Sequence, residues 1–471
     1  MIAPARVAAY DILTAISAGS ADLPTAIAMA RARLHDERDR ALAAEIASGV
    51  QRWRAALDHL IVEFAGRRID RLDPEIVEIL RLSAYQLLYL TRVPAAAVVD
   101  DAVDLTKKIG KRSASGFVNA VLRSISRRRA SLPLPPRPSD SADREAALNY
   151  LSVTLSHPRW LAERWLDRFG LDIAEAWMQF NNTPGSVTLR ANRLQTTRDG
   201  LIERLAASAG DPSTGSGSPR AESRGDQIQV HPTIDAPDGV VVDAGHPLRG
   251  TGQEEGWFVV QDEASQLVTL LAGDRPLPRV LDTCASPGGK TTAMAALMDG
   301  RGLLVACDVR DRRVDLLRRT VTASGARNVR IVQADLLTPL PFGSVFDCVL
   351  VDAPCSGLGT LRRDPDIRWR RRAQDLPPLA AAELTMLQNA AGSVAPGGRL
   401  VYATCSSEPE ENEAIAAAFH ATAPGFMPLH AGQATSRLDP ALIDPRGPLR
   451  TQPHLHSLEA FFGAVFERRQ A

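Results

Sequence analysis

Lysine is nearly absent from this chain. Lys and Arg together number 55 in 471 residues, yet lysine stands only at 107, 108, 111 and 290. Arginine serves almost everywhere else, so the isolated Lys290 is either a lysine retained by chance or a candidate for a site needing a compact ammonium rather than a planar fork. Cysteine is scarce too: five residues, all between 284 and 405, with no CxxC pair. That pattern excludes a disulfide framework and paired zinc ligands, and it fits a reducing compartment. No apolar run is long enough to span a membrane, and the opening MIAPARVAAYDIL has no signal-peptide pattern. The expectation is a cytoplasmic protein that engages neither membrane nor metal. Charge of one sign is also missing, since 55 basic residues face 55 acidic ones. Whole-molecule charge therefore does not announce a nucleic-acid binder. Basic side chains cluster instead at 107–112, 127–129 and 362–372. The third cluster, RRDPDIRWRRR, embeds Trp369, an aromatic face that could stack on a base beside phosphate-seeking arginines.

A chain of 471 residues exceeds one compact core, so two or three domains are expected. Residues 1–130 read as all-helical. Asp73-Pro74-Glu75 looks like an N-cap followed by proline at the first helical position. Ile76, Ile79, Leu80, Ser83, Leu87 and Leu88 then follow the 3.6-residue period, with Ser83 alone interrupting the apolar stripe. Further helices are predicted over 95–109, before Gly110, and over 116–128. The stretch 131–145, beginning SLPLPPRP, reads as a proline-rich linker. Residues 146–235 mix a strand (186–192) with a helix (198–209), a small α+β domain interrupted at 210–226 by a low-complexity, flexible insertion.

The remainder, 236–471, reads as an α/β domain. Short apolar runs recur at 279–283, 303–308, 329–335, 346–354 and 399–405, separated by helical stretches such as 311–323 and 379–394. Apolar runs alternating with helices imply a parallel sheet covered on both faces, with ligands at the carboxyl ends of its strands. Four of these runs close on Asp282, Asp308, Asp335 and Asp352. One such aspartate is a turn former; four on neighbouring strands would rim one crevice.

Between the first strand and its helix lies Asp282-Thr-Cys-Ala-Ser-Pro-Gly-Gly-Lys290. A glycine-bearing loop at a helix start lets backbone approach a ligand at the positive end of the helix. Its nearest rival reading is the phosphate loop GxxxxGK[ST], whose end matches Gly289, Lys290 and Thr291. The first glycine of that motif falls on Cys284, and Pro287 removes an N–H from a loop meant to cradle phosphate. No GxGxxG is present to read a dinucleotide. Asp308 is placed to accept from ribose hydroxyls and Asp335 to meet an adenine edge, which fits a nucleoside-bearing cofactor.

Cys307 and Cys348 lie inside strands and read as small buried hydrophobes. Cys355, in DAPCSG, and Cys405, in ATCSS, stand at the crevice edge instead. A Cys-x5-Arg phosphatase motif fails because Leu361 follows Cys355 by six positions.

Taken together, QDEAS (261–265), DTCASPGGKT (282–291), ACD (306–308), DAPCSGLGTLRRDPDIRWRRR (352–372) and YATCSSEPEENE (402–413) resemble the Sun (NOL/NOP/Sun) family of RNA cytosine-5 methyltransferases. ILRLSAYQLLYL (79–90), VPAAAVVDDAVDLTKK (93–108) and GFVNAVLR (116–123) extend the likeness to an amino-terminal NusB-like domain. That combination belongs to the bacterial branch acting on small-subunit ribosomal RNA. The resemblance implies a Rossmann-like methyltransferase domain, preceded by a helical NusB-like RNA-binding domain (1–130) and a small α+β RNA-recognition domain. It implies S-adenosylmethionine as cofactor, held by Cys284, Ala285, Ser286, Pro287, Gly288, Gly289 and Lys290 with Asp308, Asp335 and Asp352. It makes Cys405 the nucleophile and Cys355 the residue that assists product release. Ser286 departs from the family's usual alanine, and 457–469 lacks the Asp-Gly that usually precedes the paired phenylalanines.

The residues suit that chemistry. Carbon 5 of cytosine becomes nucleophilic when a thiolate adds at carbon 6, and a second acid/base group helps the proton leave. Asp352 can serve N3, while Lys290 can favour the thiolate or hold the pyrimidine. The base must leave its stack to be reached. A 16S ribosomal RNA substrate and a monomeric enzyme are expected. The same reaction on transfer RNA, or a non-catalytic RNA-binding assembly factor, are the alternatives; a decayed enzyme would be expected to lose Cys405, Cys355, Asp352 or Lys290.

Overall fold

A computed structural model describes residues 2–140, 142–208, 228–244, 252 and 255–470. The expected insertion at 210–226 lies outside the described residues. The chain divides into two compact units, one of Met1–Pro184 with Leu361–Ala373, the other of Gly185–Thr360 with Gln374–Ala471.

The first unit is helical. Its helices are α1 (Pro4–Ser17), α2 (Leu23–Arg31), α3 (Glu37–Ala65), α4 (Pro74–Tyr89), α5 (Ala95–Lys108), α6 (Ser115–Arg127), α7 (Arg144–Asn149) and α8 (Arg159–Asn182). Apolar residues at helical spacing from α1 to α6 close one core, including Leu13, Ile46, Leu57, Leu80 and Leu122. Proline does start α4, but Asp73 makes no side-chain cap there. Its carboxylate instead accepts from Lys111 Nζ at 2.9 Å. Ser83 is fully buried with the stripe it interrupts. Residues 131–140 form no helix or strand, yet Pro133 and Pro135 carbonyls accept from His59 (2.9 Å) and Thr154 (2.6 Å).

The basic segment 362–372 belongs to this helical unit, where two of its residues are engaged by the fold. Arg368 is wholly buried, donating to the carbonyls of Ser156 (3.0 Å) and Asn181 (3.3 Å) and to Asn182 Oδ1 (2.9 Å). Burial pushes its pKa down to about 9. Trp369 donates Nε1–H to the Gln51 carbonyl at 2.6 Å, with the Arg54 guanidinium 5.7 Å from its ring centroid. Arg368 and Trp369 are thus tied to backbone oxygens, while Arg370 and Arg372 are exposed.

In the second unit, β1 (Val187–Ala191), β2 (Gln229–Pro232), β3 (Gly239–Ala244) and β4 (Phe258–Val260) form an antiparallel sheet in the order β2-β3-β1-β4. With α9 (Arg198–Ser208), it closes a small core around Leu189, Leu201 and Phe258.

A larger sheet follows, built from β5 (Arg279–Asp282), β6 (Leu303–Asp308), β7 (Val329–Gln333), β8 (Phe346–Asp352), β9 (Val394–Thr404), β10 (Phe426–Leu429), β11 (Leu449–Arg450) and β12 (Phe462–Arg468). Its order is β10-β12-β9-β8-β5-β6-β7, with β11 on β12. The stretch from β9 to β7 is parallel, and β12 joins it antiparallel, Ala464 opposite Tyr402. Helices α10 (Glu263–Leu270), α11 (Gly289–Leu297) and α12 (Asp311–Ser324) accompany one half of the chain path; α13 (Ile367–Arg370) lies in the helical unit, and α14 (Leu376–Ala391) and α15 (Glu413–Thr422) complete the other. This is the Rossmann-like α/β class expected, with strands within a few residues of the apolar runs. The chain winds from β5 to β6 and β7 on one side, then returns to β8 and β9 on the other. The reversal at β5 and β8 makes their carboxyl ends the switch point where such sheets bind ligands.

Candidate active site

Everything converges on the loops leaving β5, β8 and β9. The loop after β5 is pinned by short-range bonds that free its outer backbone. Thr283 N and Oγ1 donate to the Leu350 carbonyl at 3.0 and 2.8 Å, and Ala285 N donates to Cys307 O at 2.8 Å. Gly288, at φ +109°, turns the chain into α11 with a backbone an L side chain rarely adopts. Its missing Cβ would sit 3.0 Å from Thr320. Gly289 and Lys290 then open the helix, so N–H groups at its positive end face the crevice side of the sheet. Arg190 on β1 supports this start from beneath. It is buried, its pKa pushed down to about 10 by that burial, and it donates to Gly289 O (3.0 Å), Thr292 Oγ1 (2.7 Å) and Gln261 Oε1 (2.8 Å).

The four aspartates do not share one role. Asp282 is buried beneath the loop, where Oδ2 accepts from Thr291 Oγ1 at 2.7 Å. Burial raises its pKa to about 7, helped by Asp352 and opposed by Thr291 and Lys290. Asp308 is also buried; Oδ2 accepts from Ser286 N at 3.1 Å, and both its oxygens lie 3.0 Å from Arg313 Nε. Arg313 Nη2 donates in addition to Ser286 O at 2.9 Å, so one guanidinium ties the loop to the end of β6. Asp335 lies two residues past the end of β7, exposed, with Oδ1 accepting from Leu337 N at 2.9 Å. Only Asp352 is half-exposed beside a cation: Oδ2 meets Lys290 Nζ at 2.7 Å. Burial works against the ammonium, but the Asp352 carboxylate outweighs it, with Cys405 and Asp282 adding in the same direction, and the Lys290 pKa is raised. The Phe461 ring, 5.6 Å from Nζ, is a second attraction.

The two strand-end thiols meet. Cys355 Sγ lies 3.3 Å from Cys405 Sγ, and both side chains are half-buried. The Cys355 thiol is pushed well up by its hydrogen bond to Cys405 and by burial, so it keeps its proton. Cys284, Cys307 and Cys348 are all pushed up by burial. Gly359 makes the meeting possible: its N–H donates to Cys405 O at 2.9 Å, and a Cβ there would stand 2.1 Å from Ala460 O and 2.7 Å from Cys405 O.

Sequence reasoning passed over Gly359, Arg190, Arg313 and Glu411. Glu411 sits in the acidic run EPEENE and is wholly buried. Nothing in the hydrophobic periodicity marks it, because a buried carboxylate in a turn leaves no apolar stripe.

Among known proteins, a family model described as 16S rRNA methyltransferase RsmB/F matches residues 269–467. A NusB family model matches 3–127, and a model of the ferredoxin-like domain of RsmF/B-like methyltransferases matches 157–221. The ribosomal RNA small subunit methyltransferase B of Pseudomonas putida is 34% identical over 428 residues, 90% of each chain. Its namesake in Salmonella arizonae is 32% identical over 386 residues, 81% of this chain and 82% of that one. Among solved structures, PH0851 is similar at a TM-score of 0.77 and 26% identity over 99% of both chains. NSun6 from Pyrococcus horikoshii, solved with SFG, shares the fold at a TM-score of 0.53 and 18% identity, covering 67% of this chain and 99% of its own.

Proposed function

Because this chain belongs to the RsmB/F family of 16S rRNA methyltransferases, we propose that it methylates carbon 5 of a cytosine in 16S ribosomal RNA through a covalent adduct on Cys405. The observation that carries this reading is the pair of thiols 3.3 Å apart beside the Lys290–Asp352 ion pair at the sheet's switch point. In this reading residues 1–130 and 146–235 engage RNA, and 236–471 carries the chemistry.

S-adenosylmethionine supplies an electrophilic methyl group when bound. The donor set suits it: N–H groups at the start of α11 for a carboxylate, and the Asp308 and Asp335 acceptors for a nucleoside. Val309 and Leu337, large apolar residues left about half exposed next to those aspartates, suit an adenine face. Pro287 is the exposed corner of the loop, while Cys284, Ala285, Ser286, Gly288 and Gly289 shape its floor.

Cys405 adds through sulfur to carbon 6 of an extruded cytosine, and electron density moves to carbon 5. Lys290 stabilises negative charge on that sulfur. Asp352 faces N3 and holds the proton there. Once carbon 5 is methylated its proton passes to water, the C5–H electron pair restores the ring double bond, the carbon 6–Cys405 bond breaks with its pair returning to sulfur, and the Cys355 thiol, 3.3 Å away, assists that release by hydrogen-bonding the departing thiolate.

The test supplies labelled S-adenosylmethionine with unmodified small-subunit RNA and maps the label. Cys405→Ala should abolish both label and the covalent RNA adduct, whereas Cys355→Ala should accumulate the adduct on a denaturing gel. Label confined to transfer RNA would correct the substrate, and no transfer to any RNA would leave a non-catalytic assembly factor.

A further inference from the structure

We propose that Glu411 is a positioning residue that holds Cys355 and Cys405 at bridging distance by gripping the residue that follows each of them. The inference rests on the two-thiol reading above and assigns the part of the fold that sets their spacing. Glu411 is completely buried, and a buried carboxylate is costly unless hydrogen bonds meet its charge. Its donors come from both cysteine loops at once. Ser356, next to Cys355, donates its backbone N–H to Oε1 at 2.6 Å and its hydroxyl to Oε2 at 2.6 Å. Ser406, next to Cys405, donates its hydroxyl to Oε2 at 2.5 Å. The two hydroxyl oxygens lie 3.2 Å apart. One carboxylate thus staples the carboxyl ends of two neighbouring strands immediately beyond their thiols.

The staple is itself anchored. Tyr402 on β9 donates its hydroxyl to the Glu411 carbonyl at 2.5 Å and lies 3.1 Å from Glu383 Oε2. Glu383, buried on α14, has its pKa raised to about 10 by burial first and by the Glu411 charge next. It therefore stays neutral at physiological pH. Asn412, the next residue, donates to Ser406 O at 2.9 Å and accepts from Thr404 Oγ1. Gly359 N–H to Cys405 O is one backbone link between the two cysteine loops, and Asn412 Nδ2–H holds Ser406 O. Hydrogen bonds from both loops to one shared carboxylate add a side-chain link immediately beyond the thiols.

The spacing can be read without RNA or cofactor. A trivalent arylarsenical, phenylarsine oxide, is retained strongly only by two thiols that one atom can bridge, releasing water as both As–S bonds form. The full-length chain should retain one equivalent, and Cys405→Ala should not. Glu411→Ala should weaken retention on the order of tenfold, the worth of a hydrogen bond to a charged group. It should also lower kcat by a similar factor while the KM for S-adenosylmethionine stays unchanged, a split that general loosening of the fold would not produce. Ser406→Ala leaves the carboxylate bound to Ser356 and should show a smaller loss in both readouts, which carries the test if Glu411→Ala does not fold. Undiminished arsenical retention in folded Glu411→Ala and Ser406→Ala protein would overturn the proposal. Retention lost as expected, in a wild-type chain that methylates no RNA, would sink the methyltransferase reading and leave the staple standing.

Discussion

Asp282→Asn tests the electrostatics beneath the loop after β5. The carboxyl is buried, and its pKa is raised from 3.8 to about 7 by burial, with Asp352 adding and Thr291 and Lys290 subtracting. A carboxyl with a raised folded pKa holds its proton more tightly in the folded chain than in the unfolded one. Its contribution to stability is fully present below the unfolded pKa and is lost as pH rises through the folded pKa. Three pKa units correspond to roughly 4 kcal/mol, lost mainly between about pH 4 and pH 7. Asparagine resembles the protonated acid in shape and can still accept from Thr291 Oγ1, whose bond to Asp282 is 2.7 Å. Urea unfolding of wild type and variant, read by pulse proteolysis of the methyltransferase unit, isolates this one group at each pH. The stability of wild type relative to the variant should fall by several kcal/mol from acid to neutral pH, then level off. Parallel pH profiles would refute the assignment, because they would mean that Asp282 ionises in the folded chain as easily as in the unfolded one.

Three further outcomes follow from the same geometry. Lys290→Met strands the half-buried Asp352 carboxylate beside a buried floor; we expect a loss of about 1–3 kcal/mol by thermal unfolding and a large fall in methyl transfer, with wild-type stability counting against the ion pair. Gly359→Ala places a Cβ 2.1 Å from Ala460 O, so the strand ends must part; a cost of about 1–3 kcal/mol and loss of arsenical retention are expected, and an unaltered dithiol would refute the close approach. Arg368→Met removes a wholly buried guanidinium and leaves the Ser156, Asn181 and Asn182 oxygens without it, a loss of about 3–5 kcal/mol that calorimetry of the helical-unit transition would register. If Arg368 instead lies at a solvated RNA-facing surface, that transition will not move and RNA affinity will fall.

Local chemistry alone made much of this molecule legible. The 3.6-residue stripe in α4, the apolar runs of β5, β6 and β8, and the glycine pair opening α11 are each decided by neighbours in the chain. Cys355 and Cys405 could be placed at strand ends for the same reason, while the resemblance of DAPCSG and ATCSS to a family implied a chemistry for them. Their separation of 3.3 Å could not be read that way, because it depends on β8 lying between β5 and β9, a pairing of segments some fifty residues apart. Charged residues were the other blind spot. Hydropathy sends RRDPDIRWRRR and EPEENE to the surface, yet Arg368 and Glu411 are buried because backbone and hydroxyl partners from distant segments meet each charge. Which buried charge finds a partner is a property of the assembled fold: desolvation is felt residue by residue, but the hydrogen bonds that offset it arrive only with tertiary contact.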